Sequence, residues 1–367
     1  MNDATRVLGL GMLAMAVLPV HATPTAQCSK LNLSACLDGV STSATSGDTL
    51  RVTSSRLIEY ARSETQEEAG HESLAARDHN PPIAGHAAGD LLANIGVWGS
   101  YNRSNFDSNA LTTPYDGNLN SFLIGLDTMP IENLIVGLGI GYENTDTDTL
   151  FNGGGQNTQG YTVAPYIAYL LNDIFSADLS GGYSGLNTDQ DRIDPANGNT
   201  LSSSFDSDRW FVTANLNASL VRGSWVLGGR IGYLYSEEDQ DAYAEAGGPS
   251  AKMVNARHLD LGQGYAGVDL AYNFGFLEPY ATVTYYNDFT RDDGTGGGPG
   301  GGPGGGPGGP GPGPAAGQPT DDDEIQAGFG VRYFGGNGVS ATLEWLRTVG
   351  RERFYNNSLT ATLRIDL

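Results

Sequence analysis

Lysine is almost missing from this 367-residue chain: Lys30 and Lys252 stand alone. With 42 Asp and Glu against 19 Lys and Arg, the formal net charge is −23. Phosphate backbones are held by Lys and Arg, so this balance excludes nucleic acid as a partner. Cysteine is scarce too, Cys28 and Cys36 being the pair. A metal site would need further ligands beside them, and none is near. Beyond the N-terminal stretch, no window holds the ~18 to 20 apolar residues of a membrane-spanning helix. That excludes a helical membrane protein and leaves a membrane β-barrel open, because its strands carry only alternating hydrophobicity. No glycine-rich loop opens a helix that could cradle phosphate. After His86, His258 is the one remaining histidine, with Asp260 two residues on. Chemistry built on it would need a partner from another strand, and the sequence points to no enzyme and no cofactor.

What the chain has instead is 53 Gly and 18 Tyr, a helix-poor, all-β composition. Its first residues look like an export signal. Arg6 precedes an apolar run from Val7 to Val20, and Val20-His21-Ala22 is a small-x-small cleavage pattern. Residues 1–22 are thus expected to be a signal peptide, with the mature chain beginning near Thr23. In an oxidising periplasm Cys28 and Cys36 are expected to form a disulfide. Gln27 before Cys28 argues against a lipoprotein.

Residues 23–91 form a separate region, rich in Ser, Thr, Ala and Glu from Ser41 onward. Thr49 to Ser63 and Ser63 to Ala76 are helix-compatible, and Asn80-Pro81-Pro82 stops the pattern. The stretch is too short and polar to bury a core. It reads as a linker, a plug or a small displayed segment.

Near Leu92 the pattern changes to alternation. Leu134, Val136, Leu138, Ile140 and Tyr142 share one parity, and Gly137, Gly139, Gly141 and Glu143 the other. Val212 to Leu220, Ala327 to Tyr333 and Leu359 to Leu367 repeat it. Successive strand side chains point to opposite faces, so one face is apolar and the other small or polar. A soluble sandwich alternates as well. Long segments, short connections alternating with long acidic ones, and aromatics near segment ends (Tyr142, Tyr183, Trp225, Tyr235, Tyr272, Trp345) favour the membrane.

The segments number about twelve: 94–103, 119–129, 134–148, 158–171, 174–188, 203–221, 224–239, 257–273, 277–290, 323–334, 338–352 and 357–367. The expected fold is a closed antiparallel transmembrane β-barrel over residues 92–367, with a short, partly helical N-terminal segment available to its lumen. Inward parity then carries Asp127, Asp178, Asp269, Glu344 and Asp366 with Arg230, Arg332 and Arg364. They are expected to form a lumenal salt-bridge network, with a cation-favouring pore as the alternative. Arg51, Arg56 and Arg62 could meet such acids as a plug. Gly294 to Gly317, repeated Gly-Gly-Gly-Pro, reads as a flexible surface spacer without collagen spacing. The acidic run Asp321-Asp322-Asp323-Glu324, like Asp146, Asp148, Asp189, Asp191, Glu237, Glu238 and Asp239, reads as solvated charge.

One stretch is more specific. Phe122-Leu-Ile-Gly-Leu-Asp127, a short turn, and Leu134-Ile-Val-Gly-Leu-Gly-Ile-Gly-Tyr142 are followed by Asp146, Gly160-Tyr161-Thr162 and Gly181-Gly182-Tyr183. In order and spacing this resembles the β-domain of autotransporters, and the resemblance covers residues 92–367. It implies a twelve-stranded barrel in the Gram-negative outer membrane, with a helix through its lumen and an N-terminal passenger at the cell surface. It also implies insertion by the outer-membrane assembly machinery, aided by periplasmic chaperones, with Leu363, Ile365 and Leu367 in the final strand as the signal. The last residue is Leu367 where the family usually ends on an aromatic. Only about 70 residues precede the barrel, so the passenger is expected to be very short or missing, as in a displayer of a short segment, a passenger-free relative or a truncated gene. The expected protein is a monomer, in contact with outer-membrane lipid and lipopolysaccharide, that anchors or translocates residues 23–91. A passenger-free narrow pore or structural barrel is the second reading.

Overall fold

The computed structural model describes residues 95–110, 113–131, 133–292, 322–335, 338–351 and 353–367. The expected signal peptide, Cys28 and Cys36 with their expected disulfide, the N-terminal segment with Arg51, Arg56 and Arg62, and the 294–317 block lie outside the described residues.

Fourteen strands follow in chain order: β1 (Ile95–Ser108), β2 (Tyr115–Ile131), β3 (Leu134–Thr149), β4 (Gly154–Leu170), β5 (Phe175–Ile193), β6 (Thr200–Arg222), β7 (Trp225–Gln240), β8 (Tyr243–Ala244), β9 (Met253–Val254), β10 (Arg257–Tyr272), β11 (Leu277–Asp292), β12 (Asp323–Phe334), β13 (Val339–Val349) and β14 (Phe354–Asp366). All but β8 and β9 close into one antiparallel barrel of neighbours in sequence order, with β14 sealing against β1. The seam is fully paired from Gly96 with Asp366 to Ser108 with Phe354. Closure leaves no unpaired strand edge, which is what allows a sheet to sit in hydrocarbon.

The period of two decides which face each residue takes. On β4, Tyr161, Val163, Ile167 and Tyr169 point outward and are exposed, while Thr162, Ala164, Tyr166 and Ala168 point inward and are buried. Outward residues from Tyr161 to Leu171 span roughly 25 Å at the ordinary strand rise and tilt, the height of an outer-membrane apolar band.

Short turns gather at one end. Gly223 and Ser224 join β6 to β7 with Arg222 facing Trp225. Gly223 takes the left-handed φ of 61° there, the conformation that a Gly-first hairpin requires. At the β4–β5 turn the Asn172 side chain accepts hydrogen bonds from the Ile174 and Phe175 amides at 3.0 and 2.9 Å.

At the opposite end the strands run longer than the sequence pattern suggests. β1 continues to Ser108 and β2 starts at Tyr115. Asp146, Asp148, Asp189 and Asp191 lie within β3 and β5, not in loops. The ladder persists after the apolar alternation ends, because only the lipid-facing part must be greasy. The β8–β9 hairpin was not legible as strand. It folds over β5 and β6 through a Ser202 amide bond to the Ala246 carbonyl (2.9 Å) and Phe205 stacked on Tyr243.

Candidate functional site

The barrel wall is the site. Outside, it presents an apolar belt edged by aromatics. Tyr101, Phe122, Tyr142 and Tyr161 face one another in register across β1 to β4. Above them the outward groups turn polar and hold the ring hydroxyls: Tyr142 donates to Gln159 at 3.2 Å and Tyr183 to Asp208 at 2.5 Å. Near the short turns Trp225 packs edge-on against Tyr272, and Phe276 against Tyr333. Rings with one wet edge suit both membrane boundaries.

Inside, the charges fall into clusters. Arg364 on β14 donates to both Asp127 oxygens, at 2.5 and 2.7 Å, and to Asp366 at 3.0 Å. Asp127 also accepts from the Tyr166 hydroxyl at 2.7 Å, which accepts in turn from the Trp98 indole at 2.7 Å. Glycine makes this packing possible. A Cβ on Gly137 would lie 2.1 Å from the Tyr166 ring, and one on Gly96 would lie 1.7 Å from the Arg364 guanidinium.

Asp178 forms a second cluster, accepting from Asn215 and Asn217 at 2.7 Å each, with Arg230 donating to Asn217 at 3.0 Å. In a third, Arg332 reaches Glu278 at 2.9 Å and Asp269 at 3.6 Å. Its guanidinium lies 4.1 Å from the centre of the Tyr280 ring, and Tyr280 donates to Glu344 at 2.8 Å. These three clusters hold all eight charged residues named from the sequence. At the end of β14, Leu363, Ile365 and Leu367 are exposed on the outer face, and the Leu367 amide donates to the Ile95 carbonyl at 2.9 Å.

Further interior residues were missed. Arg209 donates to both oxygens of Glu143 at 2.8 Å, fully buried. Arg351 joins Asp288 and Glu324 at 3.0 and 3.1 Å. Glu238 and Glu324, both read as solvated charge, are buried instead, and Glu238 accepts from Ser207 at 2.9 Å. Parity was the available signal for Arg209, Glu143 and Glu238, which share the face of buried Ser207, Thr145 and Ser236 on their strands. The interior is also not uniformly small and polar: Trp98, Leu123, Ile135, Tyr166, Ala168 and Leu170 pack together there. His258 lies on the outer face, its Nδ1 2.8 Å from Asp239 of the neighbouring strand, both well exposed.

The autotransporter β-domain family model matches residues 97–345. This chain belongs to the autotransporter β-domain family. The autotransporter barrel has the fold of the translocator domain of NalP from Neisseria meningitidis, with a TM-score of 0.61 at 15% identity, over 84% of this chain and 98% of that one. The β-domain of the Bordetella autotransporter BrkA gives 0.58 at 14% identity, over 75% and 100%. In sequence it is 29% identical to YaiT of Escherichia coli K12 over 225 residues, 56% of this chain and 22% of YaiT. The chain thus spans about a fifth of the length of that curated relative. Family, closed barrel and apolar belt together make it an outer-membrane autotransporter-type barrel.

Proposed function

We propose that this barrel carries residues 23–91 to the cell surface and anchors them there, after a signal peptide is removed behind Ala22. The observation that supports this most is where the chain enters. Ile95 pairs with Thr128, beside the short β2–β3 turn. With short turns on the periplasmic side, the preceding segment starts at the periplasmic mouth. The lumen is its route outward.

Residues 23–91 as a whole carry more acids than bases, and the wall suits only their arginine-bearing stretch, residues 51–62, electrostatically. Asp127 and Asp366 share Arg364, Asp269 and Glu278 share Arg332, and Asp288 and Glu324 share Arg351. Each cluster is net negative, which favours a segment bearing Arg51, Arg56 and Arg62. The role needs no cofactor and no chemistry, and it is consistent with a monomer. Insertion is assigned to the outer-membrane assembly machinery reading Leu363, Ile365 and Leu367, with periplasmic chaperones delivering the chain.

An epitope placed between residues 23 and 91 tests the proposal. Digestion by protease added to intact cells is the expected result. Protection of the epitope while the 293–321 connection is cut would leave the pore reading in its place.

A further inference from the structure

The wall is tall on one side. β5 and β6 count 19 and 23 residues, against 11, 13 and 14 on β13, β14 and β1 across the ring. The ladder between β5 and β6 runs unbroken to Ile193 and Thr200. Arg192 therefore keeps the lumenal parity of Asp178, and Leu201 and Phe205 keep that of Arg209. Leu201 and Phe205 are buried, although they stand well above the lipid.

The β8–β9 hairpin covers them from the inner side. Tyr243 stacks on Phe205 with ring centres 4.7 Å apart and planes 14° off parallel, and Val254 joins them in one apolar cluster. The hairpin tip then curls across β6 to reach β5. Arg192 donates to both Glu245 oxygens at 2.6 Å and to the Ser250 carbonyl at 3.1 Å. The Ser250 amide donates to Asp194 at 3.1 Å. The seat is close: a Cβ on Gly248 would lie 2.2 Å from the Asp194 carboxylate and 3.2 Å from Leu201.

Both arms of the hairpin are interrupted at the same level. The β7–β10 ladder ends at Gln240 with Arg257, and the β8–β9 pairing starts at Tyr243 with Val254. Asp241 and Ala242 on one arm, and Asn255 and Ala256 on the other, lie in neither ladder. A pair of short unpaired links side by side is a hinge axis.

We propose that the β8–β9 hairpin is a hinged lid, latched on the lumenal side of β5 and β6, that narrows the extracellular mouth and opens by swinging outward about residues 241–242 and 255–256. Twelve strands ~4.8 Å apart and tilted ~40° enclose a backbone ring roughly 24 Å across. A layer stacked on a sheet stands ~10 Å from it, so the latched tip takes roughly two fifths of that width. The latch is a sum of modest contacts, so the open form is the minor state, and whatever weakens the contacts raises its population. Arg192 holds the tip by charge and Gly248 lets it seat. The inference stands independently of whether residues 23–91 are displayed.

The test uses the full mature chain with Cys28 and Cys36 replaced by serine, in lipid vesicles. Nitroxide labels go on A251C at the hairpin tip and N105C on β1, across the ring, both exposed positions. Folding of each variant is checked by heat-modifiable migration. One narrow distance is expected in the parent. R192Q/G248V is expected to lengthen and broaden it, by about 10 Å, half the roughly 20 Å reach of a six-residue arm. R222Q, changed at the periplasmic turn, should leave the distance as in the parent. An unchanged or shorter distance in R192Q/G248V would overturn the outward hinge. A second measurement reads the cover itself. S203C, between Leu201 and Phe205 on the lumenal side, is exposed to a polyethylene-glycol maleimide on intact cells. Slow labelling in the parent background and at least tenfold faster labelling in R192Q/G248V are expected. Equal rates in the two would overturn the lid.

Discussion

Arg364 and Asp127 meet through two hydrogen bonds across β1, which lies between their strands, although 237 positions separate them in sequence. The pair ties the last strand to the second and clamps the closing seam from inside. Both side chains are almost wholly buried. Removing one partner strands the other's charge, which typically costs about 3–5 kcal/mol. D127A is expected to lower barrel stability by that order in urea unfolding from lipid vesicles. D127A/R364A should lose less than D127A alone. Equal losses would mean that the seam does not depend on this pair.

The outward belt makes a sharper demand. Leu138 lies midway along the apolar stretch of β3, exposed to lipid. L138R is expected to cost about 2–4 kcal/mol, the range for arginine at the bilayer midplane, falling to about 0–1 near the interface. D148R, beyond the belt on the same strand and face, should be close to neutral. Similar effects of the two in vesicle unfolding would place the membrane elsewhere.

Much of this was readable because a period of two is hard to mistake when one face must be greasy. The twelve barrel strands and their order follow from it, together with the glycine-rich run from Leu134 to Tyr142. The rest was not legible for physical reasons. Above the lipid, Asn118, Asp146 and Asp189 face water, so the apolar half of the alternation disappears while the ladder continues. Cross-wall partners are another gap. Arg209 and Glu143 are 66 residues apart, and nothing local in either strand specifies the meeting. Trp98 and Tyr166 sit on the inner face because Gly137 and Gly139 leave room, a volume match between strands that one strand's pattern does not carry.

That volume match is testable. A methyl group on Gly137 would collide with the Tyr166 ring. G137A is expected to destabilise the barrel by about 1–3 kcal/mol through overpacking. G137A/Y166L should recover part of the loss, apart from the hydrogen bonds of Tyr166. No recovery would assign the effect of G137A to the β3 backbone rather than to the ring.

The hairpin above β5 and β6 should respond to pH. Arg192 donates two hydrogen bonds of 2.6 Å to Glu245, and these hold the Glu245 carboxyl below its ordinary range. A lowered folded-state pKa gives stabilisation that is complete above the unfolded carboxylate pKa. It is lost as pH falls through the folded value. Protease cleavage within 241–256 should therefore quicken on acidification below the ordinary glutamate range. E245Q should cleave faster at neutral pH and lose most of that dependence. A parent protein cleaved at one rate throughout would contradict the assignment.

The length of β6 has a consequence for what neighbouring cells and molecules encounter. It counts 23 residues, where crossing a bilayer takes about 9–11. Its lipid-facing part ends at Trp210, so Thr200 to Arg209 continue outward for roughly 25 Å at ordinary rise and tilt. The rim is a hydrogen-bonded turret on this side, not a mouth flush with the lipid. It raises the β8–β9 hairpin clear of the headgroups, within reach of an antibody or phage at the surface.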